Sequence, residues 1–499
     1  MAFRSRPRRP SALIRSVLKT SLPAVPSLTR SLLKAPLLKV SLLSMSLLGG
    51  GCAIAPARDA LPMPDAWRAT TTATPLAVPS TQAWWQDFGD PTLTALIDDA
   101  LARNTELASA ALRVYGAQLR AGASTQALLP ALSGSVSGSA SQSPAADNAP
   151  ASAPAPQWRR SYTGGLNFGW ELDLWGKLRD QRSVARWEAQ ATEEDRLGVA
   201  LSLSGKVARQ YWQLAALDAR LNSGEQGIAL AERTLALTRT QHRAGAISGL
   251  DLTQAEQSLL SQRASLSQLQ LQREQARNNF ALLFDLPPQR LPNGIERPTL
   301  PSADSALPEL RPGVPADVLT LRPDLRAAQK RLESSLLNVR IARKNFLPGV
   351  SISGGLSTGG PSLSDVLSAP ARNLGVGLSL PFLNIGDLVR QPKIARNDYA
   401  IAVLGYRESV YRALSEVENA LAAVDTQRRQ LAWQIEAVGN ARRIEHLNGV
   451  RYRAGAVSLR TWLDAQDALR QAETALIDAR ANALQAAADL RIALGGGAG

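Results

Sequence analysis

The chain has 499 residues, of which 45% are hydrophobic and only 5% aromatic, a balance typical of folded helices built on alanine and leucine and not of a disordered chain. Its formal charge of +14 suggests a nucleic-acid partner, but nine of the Lys and Arg residues precede residue 52, in a segment without Asp or Glu. The remaining +5 is too small and too dispersed for a nucleic-acid surface, which excludes that class of partner.

Residues 1–51 are predicted to be an export signal, with a basic leader, a short apolar run and three glycines before Cys52. The apolar run is too short to cross a bilayer as a helix. Cys52 is the only cysteine, and its surroundings resemble a bacterial lipoprotein cleavage site, although Gly49 stands where leucine is usual. The alternatives are acylation of Cys52 and an ordinary signal peptide with an incidental cysteine. In the lipoprotein pattern, Ala53 favours sorting to the outer membrane.

Residues 52–85 are rich in Pro, Ala and Thr and are predicted to form an extended tether. A first repeat is predicted over residues 86–286, and its opening helix is expected to continue towards Pro130. Apolar residues recur there at helical spacing: Leu93, Leu96, Ile97, Ala100 and Leu101.

A β-hairpin is predicted over residues 131–175, because apolar and polar residues alternate in two segments joined by a Pro/Ala/Ser loop. A long helix over 177–242 and a returning helix over 248–285 follow. At 1.5 Å per residue the long helix would extend about 100 Å, a length that suits a structure crossing a periplasm. The returning helix has leucines at seven-residue spacing, which indicates coiled-coil packing of an antiparallel pair.

After a Pro-rich linker at 287–317, the arrangement repeats over residues 318–495. The second repeat is predicted to contain a helix, a hairpin at 349–383, a long helix at 387–452 and a returning helix at 458–494.

Two registers relate the repeats. The first aligns "NTELASAALRVYGAQLRAGASTQALLP" with "RPDLRAAQKRLESSLLNVRIARKNFLP", so that Leu107 corresponds to Leu325 and Pro130 to Pro348. The second applies after the hairpins, where Gly176 corresponds to Gly386 and "RAGAIS" to "RAGAVS". The chain is a tandem duplication.

Each repeat therefore supplies two strands with one apolar face and one face of small or polar residues. Four strands cannot close a membrane barrel, and open edges in hydrocarbon are costly, so several chains must contribute to one barrel. The alternation predicts lipid-facing side chains at Leu166, Phe168, Trp170, Val376, Leu378 and Leu380. It predicts lumen-facing side chains at Ser133, Ser135, Asn167, Glu171, Ser351 and Ser379. A lumen lined by serine implies a water-filled pore.

The chain resembles the bacterial outer-membrane efflux proteins, the trimeric channel-tunnels, and most closely their lipoprotein branch. The resemblance runs from about residue 84 to the C-terminus and rests on "FGDPTLTALIDDAL", "WELDLWGKLR", "LRPDLRAAQKRLESS" and the two "RAGA(I/V)S" turns with the helices after them. It implies a mixed α and β membrane protein. Three copies would form a twelve-strand transmembrane β-barrel, four strands from each, above a long α-helical barrel in the periplasm and an equatorial region that includes the linker.

The resemblance also implies a function. The homotrimer would be the passive outer-membrane exit of a tripartite efflux system, exporting drugs or other toxic small molecules from an inner-membrane transporter through a periplasmic adaptor. A lumen of Ser, Gly and Asn discriminates little between cargoes, which leaves specificity to the transporter.

In that family the closed periplasmic tip is held by residues on the helices around the two turns. The matching positions here are Asp251, Tyr452, Arg460, Asp464 and Asp467. Asp464 matches an aspartate of the constriction, whereas Arg460 and Asp467 differ in type from some members. We hypothesise that Arg460 pairs with Asp251 or Asp464 of a neighbouring helix. The alternative is a solvated face at a helix start.

The two turns are also the predicted adaptor-docking grooves, since small residues allow close helix approach. The positions are Ala244, Gly245, Ser248, Ala454, Gly455 and Ser458. The alternative is that these residues only form the turns.

No enzyme, cofactor or metal site is predicted, because the two histidines, His242 and His446, lie apart on helical segments without a catalytic or metal-binding motif. Glu171 and Asp173 are interpreted as lumen charges, not as an acid/base pair. Two other classes compete with the exit duct. A structural coiled-coil lipoprotein would explain the heptads and Cys52 but not four amphipathic strands, and a periplasmic adaptor would lack duplicated strand–helix units.

Overall fold

The computed structural model describes residues 63–68, 83–142, 158–292, 298–302, 305, 307–308, 314–362, 364 and 370–496. The export signal, Cys52 and most of the tether lie outside the described residues. Within them, no helix is both long enough and apolar enough to span a membrane.

Long helices make up most of the described chain. Eight helices are assigned: α1 Pro91–Arg103, α2 Thr105–Gln126, α3 Lys177–Arg243, α4 Gly249–Leu282, α5 Val318–Leu321, α6 Pro323–Lys344, α7 Ile385–Arg453 and α8 Leu459–Ala493. Short 3-10 turns at Trp84–Phe88, Pro315–Asp317 and Pro381–Leu383 connect them. The 67 residues of α3 and the 69 of α7 correspond to about 100 Å each.

The duplication is visible in the element bounds. In the first register, α2 and α6 begin and end at equivalent positions, and so do the strands β1 (Ala131–Gln142) and β3 (Gly349–Gly360). In the second register, the last residues of α3 and α7 are equivalent, as are the first residues of α4 and α8. The sequence repeat is therefore a structural repeat.

One antiparallel sheet joins the two repeats in the order β1-β2-β3-β4, where β2 is Trp158–Leu172 and β4 is Ala371–Ser379. Its strand pairing places Leu166 opposite Leu356, Trp170 opposite Ile352, and Ile352 opposite Val376. Because side chains alternate between the faces of a sheet, these apolar residues share one face. The serines of β1 and β3 share the other.

Two strands end earlier than predicted. The alternating pattern continues through Leu174 in the first hairpin and through Leu380 and Phe382 in the second, but β2 ends at Leu172 and β4 at Ser379. Leu380, predicted to face lipid from a strand, lies just beyond β4. Pro381 has no N–H to donate to a neighbouring strand, and the chain enters a 3-10 turn there.

The predicted continuous helix before Pro130 is also wrong, because Asn104 separates α1 from α2. Its backbone is extended, and its side chain accepts hydrogen bonds from the N–H groups of Glu106 and Leu107 at 3.0 and 3.1 Å. Asparagine favours such N-cap positions, so it begins a new helix although the apolar spacing continues.

The main hydrophobic core lies where α1, α3, α4 and α8 meet. Leu93, Ile97, Trp212 and Phe280 are buried there, and Trp84 donates from its indole N–H to Ser204 Oγ at 3.1 Å. Linker residues Leu291, Leu300 and Leu307 pack against this core. Beyond it, α4 returns along α3 and α8 along α7, while α2 packs along α3 and α6 along both long helices.

Candidate functional site

The two helix reversals have nearly the same geometry. Gly245 and Gly455 both adopt φ of +71°, a left-handed conformation that glycine accepts without Cβ strain. The N–H of Ala246 donates to the carbonyl of Gln241 at 2.9 Å, and the N–H of Ala456 donates to that of Arg451 at 2.8 Å. These bonds satisfy carbonyls that would otherwise be unpaired at the helix ends.

Ser248 and Ser458 begin the returning helices. Ser248 Oγ accepts from the N–H of Asp251 at 3.3 Å while the Asp251 carboxylate accepts from the N–H of Ser248 at 3.2 Å, which completes a capping box. Ser458 Oγ accepts from the N–H of Thr461 at 3.3 Å. The predicted docking residues thus have structural roles in the turns, and their role in docking stays a prediction.

The two reversals lie together at one end of the helices. One apolar cluster contains residues of α3, α4, α7 and α8: Ala231, Leu235, Ala255, Leu259, Tyr452, Leu459 and Leu463. Tyr452 Oη donates to Gln241 Oε1 at 2.6 Å and so connects the ends of α7 and α3. Burial, together with the negative charge of Asp251, raises the pKa of Tyr452 above its usual value.

Tyr452 is further held by the aromatic ring of Trp462. The rings are stacked with centroids 5.2 Å apart, and the indole N–H of Trp462 donates to Glu445 Oε1 at 3.0 Å. The family resemblance indicated Tyr452 but neither Gln241 nor Glu445. The heptad spacing already contained Trp462, and that was the signal for its place at the helix interface.

Arg460 and Asp464 are exposed and Asp467 is half-buried, and all three form ion pairs within α8, whereas the half-buried Asp251 belongs to the capping box of α4. Arg460 Nε lies 2.9 Å from Asp464 Oδ1, one turn away, and Arg470 Nη1 lies 3.0 Å from Asp467 Oδ1. Within one chain, then, Arg460 does not pair with an acid of a neighbouring helix, because Asp464 of its own helix is in reach at the i+4 position.

A second group of charges lies between α3 and α6, nearer the sheet. Glu194 accepts from Arg326 Nε at 2.8 Å and from Lys330 Nζ at 2.7 Å, with only 13% of its side chain exposed. Burial alone would raise the pKa of Glu194, but the hydrogen bonds and charges of Lys330 and Arg326 hold it below its usual value. Sequence periodicity gave no signal for this cluster, since all three residues are common on exposed helix faces.

Among the described residues, no group of three His, Cys, Asp or Glu side chains is placed to hold a metal ion. The arrangement can instead present two surfaces. One is a sheet with one apolar and one polar face, whose edge strands β1 and β4 are each unpaired on one side within the described part of the chain. The other is a helical tip at which side-chain contacts join the two reversals.

Comparison with known proteins identifies the class. The sequence model of the outer membrane efflux protein family matches residues 96–284 and 314–496, one segment in each repeat. The pyoverdine export outer membrane protein OpmQ of Pseudomonas putida KT2440 is 33% identical over 436 residues, which cover 87% of this chain and 92% of that protein. The toxin and drug export protein A of Aggregatibacter actinomycetemcomitans is 29% identical over 81% of this chain and 86% of its own length.

Solved structures agree. The outer-membrane channel OprN superposes with a TM-score of 0.76 at 27% identity, covering 88% of this chain and 98% of its own. VceC of Vibrio cholerae superposes with a TM-score of 0.73 at 26% identity, covering 85% and 100%. The chain belongs to the outer membrane efflux protein family.

This membership confirms the predicted fold class and the outer-membrane location. The chain has the fold of the trimeric channel-tunnels, with long helices of a helical barrel and four strands per chain for a shared twelve-strand barrel. The family is one of transport proteins.

Proposed function

We propose that three copies of this chain form the passive exit channel of a tripartite efflux system, which exports toxic small molecules through the outer membrane. The observation that carries the proposal is the sheet: its two faces differ in polarity, and both of its edges require strands from other copies. A polar lumen continuous with long helices provides a water-filled path without a chemical step.

The partners follow from this path. A periplasmic adaptor would bind at the helix reversals and connect the channel to an inner-membrane transporter. The docking surface consists of the small residues of the two turns: Ala244, Gly245, Ser248, Ala454, Gly455 and Ser458. Replacing Ala244 and Ala454 together by tryptophan should abolish adaptor co-purification while leaving bilayer conductance intact. Unchanged co-purification would refute the docking assignment.

The test of the channel uses the full-length protein extracted from membranes. It should migrate as a trimer in SDS without heating and as a monomer after boiling, and it should conduct ions in a planar bilayer. A monomer in mild detergent, or a trimer that does not conduct, would refute the proposal.

The closed tip is proposed to be held by Tyr452 and, in the trimer, by Arg460 pairing with Asp251 or Asp464 of a neighbouring copy in place of the Asp464 of its own helix. Asp467 would contribute charge around the aperture. Each exposed pair contributes at most about 1 kcal/mol, but three copies act together. Tyr452→Phe removes the hydrogen bond to Gln241 and keeps the ring on Trp462, so the closed-state conductance should rise. Arg460→Ala should raise it as well, and an unchanged conductance would exclude Arg460 from the gate.

The lipid anchor is proposed at Cys52. A single acyl chain binds a membrane only marginally, so the sheet would supply the rest of the attachment. Metabolic labelling with an alkyne palmitate should label the wild type and not Cys52→Ser. Equal labelling of both would remove the anchor from this position.

A further inference from the structure

The duplication predicts a contact that the single chain does not make. In the chain, α6 lies between α3 and α7, and α2 lies along α3. The first repeat thus meets the second through α3 and α6. In the duplication α7 is equivalent to α3 and α2 is equivalent to α6, so the equivalent contact would join α7 to α2. Those two helices do not pack along each other in the described chain. Both carry large exposed apolar residues: Leu112, Tyr115, Leu119, Ile394, Ile401 and Leu404.

We propose that α2 of one copy packs along α7 of the next copy with the alignment that α6 has on α3, so that Leu112 lies against Leu404 and Arg113 pairs with Asp398. The inference rests on the proposed homotrimer and assigns the residues of its helical interface. The interface within the chain will be called the internal seam, and the one between copies the external seam.

The alignment is supported by contacts that the repeat preserves. Ala131 pairs with Gly169 in the sheet, and Gly349 pairs with Ser379. The first register relates Ala131 to Gly349, and the second register relates Gly169 to Ser379.

A hydrogen bond is related in the same way. Asn104 Nδ2 donates to the carbonyl of Leu283 at 2.9 Å, and Arg322 Nη1 donates to that of Ala493 at 3.1 Å. The two registers therefore place equivalent atoms in equivalent positions even where the residue types differ.

When the two registers are applied to the internal seam, charged residues of that seam correspond to apolar residues of the external seam. Lys330 corresponds to Leu112 and Glu194 to Leu404. The salt bridge between Lys330 and Glu194 is largely covered, whereas Leu112 is 70% and Leu404 61% exposed in the single chain. A leucine pair in that position would bury both side chains, which explains why apolar residues stand on two otherwise polar helix faces.

One charge pair of the internal seam is preserved. Arg331 binds Asp195 through both Nη atoms, and its Nε lies 3.6 Å from Glu188 Oε1. Asp195 corresponds to Gly405, so that pair is lost, whereas Arg331 and Glu188 correspond to Arg113 on α2 and Asp398 on α7. Both are exposed, and neither forms an ion pair among the described residues. Their opposite charges complement each other across the external seam.

The difference between the seams gives the assembly its specificity. If α2 of another copy took the place of α6 on α3, Leu112 would replace Lys330 beside Glu194. The carboxylate would then be covered without its cation, which is a strongly unfavourable arrangement. Copies can therefore add to the free α7 face but cannot displace the internal seam.

The two registers also predict how the edge strands of neighbouring copies pair. In the chain, Leu166 lies opposite Leu356 and Phe168 opposite Gly354. The two registers convert these pairs into Val376 opposite Gly138 and Leu378 opposite Val136, between β4 of one copy and β1 of the next. Both pairs keep the apolar face continuous. The same relation between neighbouring copies that places α2 on α7 therefore also pairs β1 with β4.

The first test is cross-linking of a double variant, Leu112→Cys with Leu404→Cys. A Lys–Glu pair spans more than a disulfide allows, so a short bis-maleimide is the reagent. After boiling in SDS, the double variant should give covalent dimers and trimers, whereas each single variant should stay monomeric and so controls for Cys52. Leu112→Cys with Leu447→Cys is the matched control, because Leu447 is comparably exposed on α7 but lies many turns from Leu404.

The outcomes separate this inference from the proposed function. A conducting, heat-labile trimer that gives no covalent product with the double variant would overturn the seam and leave the channel intact. Loss of the trimer in the wild type would overturn both. Equal product from the Leu447→Cys control would also overturn the seam, since it would show unspecific linkage.

A charge exchange provides the second test. Arg113→Glu places a carboxylate beside Asp398 and should lower the temperature at which the trimer dissociates in SDS. Combining it with Asp398→Arg should restore that temperature, because the pair is re-formed with reversed sign. No recovery in the double variant, with the single variant destabilised, would contradict the pairing.

Discussion

At the scale of single residues, the turns depend on glycine for a backbone reason alone. Gly455 has φ of +71°, and a Cβ added there would meet nothing within 4 Å. Gly455→Ala should therefore destabilise the tip by about 1–2 kcal/mol through its left-handed conformation and not through a clash.

The matched control is Gly439→Ala, since Gly439 lies inside α7, is exposed and also has open space around a Cβ. This change should stabilise the helix by up to about 1 kcal/mol. Thermal unfolding followed by circular dichroism would measure both, and shifts of the same sign would contradict the argument.

Asn104 combines two tasks in one side chain. It caps α2 through its oxygen and donates from Nδ2 to the carbonyl of Leu283 at 2.9 Å. Asn104→Ala removes the cap and leaves that carbonyl without its donor, so the loss should be about 2–3 kcal/mol. Asn104→Ser retains a capping hydroxyl and should lose less. Equal midpoints of thermal unfolding for the two variants would show that the cap has no separate role.

At the scale of helices and strands, the contact between α3 and α6 should weaken in acid. The pKa of Glu194 is lowered in the folded chain, so its contribution to stability is complete above the unfolded value near 4.5 and is lost as pH falls through the folded value. Glu194→Gln should lower the melting temperature at pH 7, and the difference from the wild type should shrink as the pH falls below 4.5.

Glu193→Gln is the control for this pH dependence. Glu193 pairs with Arg196 three residues away on the same helix, and its side chain is more exposed than that of Glu194. Its removal should change the melting temperature little at any pH. A Glu194→Gln variant with a constant deficit from pH 7 down to pH 3 would contradict the titration argument.

The same scale shows what periodicity can predict. The alternation of apolar and polar residues around Leu166, Phe168 and Trp170 predicted the strand, because a two-residue period of hydrophobicity is typical of a β-strand with one apolar face. The alternation could not predict where a strand ends. After β4, Leu380 and Phe382 continue the alternation, and only the missing N–H of Pro381 stops the pairing. The break at Asn104 was missed for the related reason that the apolar spacing continues across it.

The candidate site was predictable to a different degree. The glycines of the turns follow from local backbone chemistry, so the sequence indicated them. The bond from Tyr452 to Gln241 joins residues 211 positions apart, and Asn104 and Arg322 donate to the carbonyls of Leu283 and Ala493. The sequence repeat aligns Asn104 with Arg322, but no pattern along the chain predicts these hydrogen bonds, because they depend on how the helices are arranged in space.

At the scale of the whole molecule, the function depends on the two faces of the sheet facing different solvents. Val376 lies on the apolar face opposite Ile352, and Ser353 lies on the polar face opposite Gly375, one position along each strand. In a closed barrel the first would contact lipid and the second the water of the lumen. The two positions are therefore neighbours in the strands with opposite surroundings.

Val376→Arg should cost about 2–4 kcal/mol if the position lies near the middle of the bilayer, whereas Ser353→Arg should cost little because the lumen solvates the charge. The amount of heat-labile trimer in outer-membrane fractions measures the first effect, and single-channel conductance measures the second. We expect Val376→Arg to reduce the trimer, and Ser353→Arg to retain it with altered ion selectivity. If the two variants exchanged these phenotypes, the assignment of faces would be inverted. If Val376→Arg assembled as the wild type does, that face would not contact lipid, and the pore would have to lie elsewhere than inside the strands.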